Sequence, residues 1–191
     1  MNISDLPVFE DVDTVPRIIN SGEMGKIVLI NYPRGLVAKV LDNYTRGGPY
    51  YILESDLLDL RGEYNVQRFF YEHDISVPKP EGVFAIPLLK QFGYSLVPAL
   101  VMEYVDGVNF KTLVRKGVGL DTLNQLRDLY AEEKRKVEKI GCYLADHSLS
   151  LNSLYQLNPS KTVLTDFGRP PDDEYKEGSV ESHFGLSELQ R

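Results

Sequence analysis

The sequence predicts an α+β protein in two lobes. Two observations carry that prediction. Up to about residue 105 the chain alternates short β-branched runs with Gly-, Pro- and Asn-rich breaks, interrupted by one helix-spaced stretch. After Gly107 the pattern changes to a long amphipathic helix followed by a small hairpin.

The elements follow in order. Residues 1–16 are acidic and aperiodic, and read as a lead-in segment. In "PRIINSGEMGKIVLINYPRGLVAKVLD" the runs "KIVLI" and "LVAKVL" are separated by the turn-forming cluster "NYPRG". That predicts three strands: one before Gly22 and Gly25, one after them, and a third holding Lys39. "NYTRGGPYYILES" is a loop. "DLLDLRGEYNVQRFFYEHD" spaces Leu57, Leu58, Leu60, Tyr64, Val66, Phe69 and Phe70 as a helix does, with Gly62 as its weak point. The prolines of "ISVPKPEG" end it by forcing their predecessors toward extended backbone. "VFAIPLL", "SLVPAL" and "VMEYV" read as strands or connectors, closed by Asp106-Gly107.

Residues 120–147 form a long helix candidate. Leu123, Leu126, Leu129 and Tyr130 lie on one face, continued by Val137, Ile140 and Leu144, and the run "AEEKRKVEK" is its solvated face. "SLYQL" and "TVLTDF" are two short strands around the turn "NPSK". The tail from Arg169 is acidic and proline-containing, without a period.

Composition narrows the functional classes. Of 191 residues, 42% are hydrophobic and 26% charged, as in an ordinary globular protein. A net charge of −7 argues against broad nucleic-acid binding, which needs a basic face. Cys142 is the single cysteine, so no disulfide framework exists and a reducing compartment is expected. The first residues show neither the basic nor the apolar region of a signal peptide, and no apolar run suffices to span a bilayer. The expectation is a cytoplasmic or nuclear protein, not secreted, with no membrane partner.

The chemistry begins at "INSGEMGKIVLI". Glycines inside a strand–turn–strand let backbone N–H groups approach an anion without a Cβ in the way, although a plain hairpin turn also uses them. Lys39 in "VAKV" has apolar neighbours on both sides. Such a lysine either protects a sheet edge or is a charge held inward for a ligand. An inward ammonium needs a counter-charge. Glu63 on the following helix could supply it; Glu54 and Glu72 are alternatives.

Together "INSGEMGKIVLI…VAKVL" resembles the Gly-rich loop and third-strand lysine of protein kinases, with Asn20 where the first glycine would stand. "EYNVQRFFYEHDISVPKPEGVF" is similar to the matching stretch of atypical kinases: the RIO group, the small kinase of the KEOPS complex and the aminoglycoside phosphotransferases. "VMEYVDG" resembles the hinge between kinase lobes, and "TDFG" the magnesium-binding Asp-Phe-Gly. The five elements occur in kinase order between about residues 17 and 168.

The resemblance implies a two-lobed protein kinase-like fold with a five-stranded antiparallel N-lobe sheet, one helix and a minimal helical C-lobe. It places the N-lobe at 1–101 and the hinge and shortened C-lobe at 102–191. It implies ATP and Mg²⁺ as ligands and a protein as substrate or partner. Gly22 and Gly25 would cover the phosphates. Lys39, oriented by Glu63, would neutralise phosphate charge. Met102 would be the gatekeeper beside the hinge residues Glu103 and Tyr104, whose backbone would meet adenine. Asp166 would hold the metal. Loss of Lys39 would then remove activity without unfolding the chain.

The catalytic loop departs from the kinase pattern. In the strict register of "ADHSLSLNSLYQL", Ser148 stands for the catalytic Asp and Ser153 for the metal-binding Asn. A shift gives Asp146 and Asn152 those roles, one residue further apart than usual, and His147 is then only a neighbour. The shifted register is preferred because a serine cannot replace a carboxylate as proton acceptor. Only 23 residues follow Gly168, with no match to the segment that carries a kinase's peptide groove. Two expectations result: a serine/threonine kinase-like phosphotransferase, or a catalytically inactive pseudokinase that binds nucleotide or serves as a scaffold.

Overall fold

A computed structural model describes residues 3–12, 17–21, 25–31, 34–41, 54–90, 93–144, 152–157 and 160–167. Gly22, Asp146, His147, Ser148, the loop before Glu54 and the tail from Gly168 lie outside these residues. The chain divides into two compact units: Met1–Tyr64 with Lys79–Tyr104, and Asn65–Pro78 with Val105–Arg191.

The first unit is built on a five-stranded antiparallel sheet. Its strands are β1 (Arg17–Ser21), β2 (Gly25–Asn31), β3 (Leu36–Leu41), β4 (Pro80–Lys90) and β5 (Gly93–Glu103), in the order β1-β2-β3-β5-β4. The three apolar segments expected between 83 and 105 form only two strands, because "SLVPAL" and "VME" run on as one. Pro87 and Pro98 survive inside them for a readable reason. Ala85 turns its N–H and C=O outward, to Pro7 and Phe9. Pro87, two residues along, therefore turns its nitrogen to that same outer edge. Pro98 faces Ala85 across the ladder, so its nitrogen points toward the β3 side. There the β3 pairing has just ended at Val40–Ala99.

Side chains alternate between the two sheet faces. Val28, Ile30, Ala38, Val40, Ile86, Val97, Ala99 and Val101 form one apolar face, covered by Phe9 and Val12. Val37, Leu100 and Met102 form the other, packed by Leu60 of helix α1 (Glu54–Glu72). The segment expected to be a mere lead-in is thus part of the core. Leu6 is buried beside Leu57 and Ala85, Phe9 meets Phe84 edge-on at 5.2 Å, and the buried Asn31 amide donates to the Asp11 carbonyl at 3.3 Å.

α1 gives its residues through Tyr64 to the first unit and those from Asn65 to the second. It ends before the prolines reach it. Asp74 takes a left-handed φ of 58°, and the Ile75 N–H turns back onto the Phe70 carbonyl at 3.0 Å.

The second unit holds α2 (Phe110–Arg115), α3 (Leu120–Lys139) and a three-stranded sheet of β6 (Val108–Asn109), β7 (Ser153–Leu157) and β8 (Ser160–Leu164). The expected hairpin is present as β7–β8; β6 and α2 were not legible. Asn109 caps α2 by accepting the Thr112 N–H at 2.8 Å.

α3 is shorter than its apolar stripe predicts. Gly141, at φ 82°, reverses the chain, with Gly141 N–H on the Glu138 carbonyl and Cys142 N–H on the Val137 carbonyl. Cys142 and Leu144 still reach the core, beside Val66, Phe70, Val137, Leu164 and Phe167, but from outside the helix. The charge run of α3 is also not wholly solvated. Glu133 turns inward, accepting the Ser76 N–H at 2.8 Å and pairing with Lys136 at 2.6 Å. That bond to Glu133 raises the lysine's proton affinity above the ordinary lysine range.

Candidate functional site

β3 is the middle strand of the sheet, so Lys39 is not edge protection. It lies opposite Ile27 of β2 and Leu100 of β5, which places it on the face that α1 covers. There its Nζ donates to both carboxylate oxygens of Glu63, at 2.8 and 2.9 Å. The two side chains are only 8% and 4% exposed.

The pair follows from local structure. Strand alternation sends Val37 and Lys39 to one face. On α1, Leu57, Leu60 and Glu63 recur at helical spacing, so the carboxylate falls on the buried stripe. Glu72 is exposed at the far end of the helix, 3.8 Å from Arg68, and does not compete. Burial also changes one expectation. Deleting Lys39 would strand a carboxylate in the interior, so the substitution affects folding as well as any activity.

The segment after β5 is arranged mainly by its own backbone. Met102 is buried on the α1 face, whereas Glu103 and Tyr104 are exposed. The Glu103 N–H donates to the Lys79 carbonyl and the Tyr104 N–H to the Gly35 carbonyl. Both amide N–H groups are thus committed within the first unit. Gly25 opens β2, opposite Leu41.

In the second unit, Asp166 follows β8 and is exposed, with a left-handed φ of 62°. An L-residue in that region carries strain that the neighbouring structure must impose. Here the next residue imposes it. Phe167 is fully buried and meets Phe70 edge-on, with centroids 5.4 Å apart. One residue earlier, the Thr165 N–H donates to the Asn152 carbonyl at 2.9 Å. The structure therefore brings Asn152 beside the Asp166 turn. Ser153, the strict-register alternative, is wholly buried at the start of β7. No set of three or more His, Cys, Asp or Glu side chains able to hold a metal occurs among the described residues.

By sequence, the chain matches no protein-family model and no curated protein. By structure, it is similar to Rad53 residues 1–466, crystallised in complex with AMP-PNP, with a TM-score of 0.57 at 16% identity. It is also similar to the kinase domain of Mycobacterium tuberculosis PknI, with a TM-score of 0.53 at 15% identity. Each alignment covers 84% of this chain, but only 39% of the Rad53 chain and 63% of the PknI chain. The chain has a protein kinase-like fold, and it spans less than two thirds of either kinase structure.

Proposed function

We propose that this protein kinase-like chain binds ATP with Mg²⁺ and transfers the γ-phosphoryl group to a Ser or Thr hydroxyl of a protein. The buried Lys39–Glu63 pair carries the reading. A buried ion pair is a weak device for stability, since apolar residues of similar volume do as well. A cation oriented by a bidentate carboxylate on the central strand is well suited to neutralising the α- and β-phosphates. The Rad53 neighbour, crystallised with an ATP analogue, supports a nucleotide as ligand.

The other roles follow from the same frame. Gly22 and Gly25 would cover the phosphates, and Met102 with Glu103 and Tyr104 would border the base. Asp166 and Asn152 offer hard oxygen donors that suit Mg²⁺, which would supply charge neutralisation at the phosphates when bound. The strained backbone of Asp166 supports a functional role there. Asp146 would orient the acceptor hydroxyl and take its proton as the hydroxyl oxygen bonds Pγ and the β–γ bridging oxygen leaves with ADP. The single cysteine, which can form no disulfide within the chain, supports action in a reducing compartment such as the cytoplasm or nucleus.

The test is a nucleotide titration with and without Mg²⁺, paired with a radiolabel-transfer assay on a generic Ser/Thr substrate. Magnesium-dependent binding lost in Asp166→Ala, together with transfer, is the expected result. Binding without transfer would identify a nucleotide-binding pseudokinase. Absence of both would overturn the reading.

A further inference from the structure

We propose that Leu6 is a positioning residue: it wedges the first half of α1 in place and so sets Glu63 against Lys39. This rests on the nucleotide-binding reading of that pair.

The N-terminal strap winds over the edge of β4. Its backbone is pinned there on both sides of Ala85, which donates to the Pro7 carbonyl and accepts from the Phe9 N–H, each at 2.9 Å. Leu6 enters on the α1 side, 5% exposed, between Ala85 of β4 and Leu57 of α1. Phe9 enters on the opposite side, against Phe84. One strand of chain thus clamps both faces of the sheet, and among the described residues it is Leu6, with Ile3 beside it, that joins the cluster holding Leu57 of the helix.

The described first half of α1 is held to the sheet through Leu57, Leu60 and Glu63, with Tyr64 at the margin. The ion pair alone holds a helix weakly, because desolvation offsets most of its attraction. The apolar contacts must do so, and Leu6 supplies the far side of the Leu57 contact. Without it, α1 should spend most of its time displaced. The apparent nucleotide affinity then falls by the fraction of molecules in which Glu63 is in place.

The experiment compares Leu6→Ala with Phe9→Ala, two truncations in the same strap on opposite faces. The readouts are hydrogen exchange of the α1 amides from Leu58 to Tyr64, melting temperature, and titration with Mg²⁺–AMP-PNP. Leu6→Ala should leave α1 displaced in most molecules, removing most of its amide protection and weakening nucleotide binding several-fold. Phe9→Ala should lower the melting temperature comparably and leave both other readouts near wild type. Leu6→Met should restore them. If Leu6→Ala does not fold, Leu6→Val gives the same contrast on a smaller scale. Equal loosening of α1 by both truncations, or wild-type protection in the Leu6 variant, overturns the proposal. A wild-type chain that binds no nucleotide removes the functional reading, while the exchange comparison still decides the wedge.

Discussion

Replacing Lys39 with Met keeps much of the buried stem and removes the charge that Glu63 faces. The carboxylate, 4% exposed, then has two options. It can stay ionised in the interior, at a penalty of several kcal/mol. Or it can take up a proton, which at pH 7 costs an acid of ordinary strength about 3.7 kcal/mol. The cheaper route sets the effect, so Lys39→Met should lose about 3–4 kcal/mol at pH 7. That is a large share of a typical stability of about 5–15 kcal/mol. Acid should relieve the loss. The folded variant holds a proton that the unfolded chain has released above about pH 4.3, so the gap to wild type closes by about 1.4 kcal/mol per pH unit. At pH 5 about 1 kcal/mol should remain. Removing both charges in Lys39→Met/Glu63→Leu should return stability to within about 1 kcal/mol of wild type, while nucleotide binding stays lost. Urea unfolding of the three proteins at pH 5, 6 and 7 measures all of this. A pH-independent penalty, or a double variant no more stable than the single one, would refute the buried pair. A double variant that still binds nucleotide would refute its function.

Other outcomes follow from the second unit. Gly141→Ala puts a Cβ on a residue at φ 82° and should lower stability by about 1–2 kcal/mol in chemical denaturation. Glu133→Ala leaves the Ser76 N–H without its acceptor and should cost about 1–3 kcal/mol, whereas Glu133→Gln, which keeps an oxygen there, should lose less. Stability should fall as pH rises above about 9. Burial raises the Cys142 thiol above its ordinary value of 9.0 and the Tyr155 phenol above 10.0, and Glu133 raises Lys136 above 10.5. In each case the folded chain keeps a proton that the unfolded chain gives up, so alkali favours unfolding. Cys142→Ala should delay the onset of this loss in a urea-midpoint series from pH 7 to 11.

Local pattern by itself determined much of this protein. β-branched runs between turn clusters located β1, β2, β3, β7 and β8, and helical spacing located α1 and α3, because strand alternation and helix amphipathicity are written within a few residues of each position. The order of Lys39, Glu63 and Asp166 along the chain also pointed to a kinase-like fold. Tertiary structure decided what depends on distant partners. It made β3 the central strand by pairing it with β5, and so turned Lys39 from a possible edge charge into a buried one. It selected Glu63, since identical carboxylates differ only in which face of the helix they occupy. It ended α3 at Lys139, where the pattern of Ile140 and Leu144 extends the stripe, because a left-handed glycine returns Leu144 to the same core from outside the helix. It also gave Leu6, Phe9 and Val12 their places, which no period announces: a strap that crosses a sheet edge buries Leu6 against one face and Phe9 and Val12 against the other.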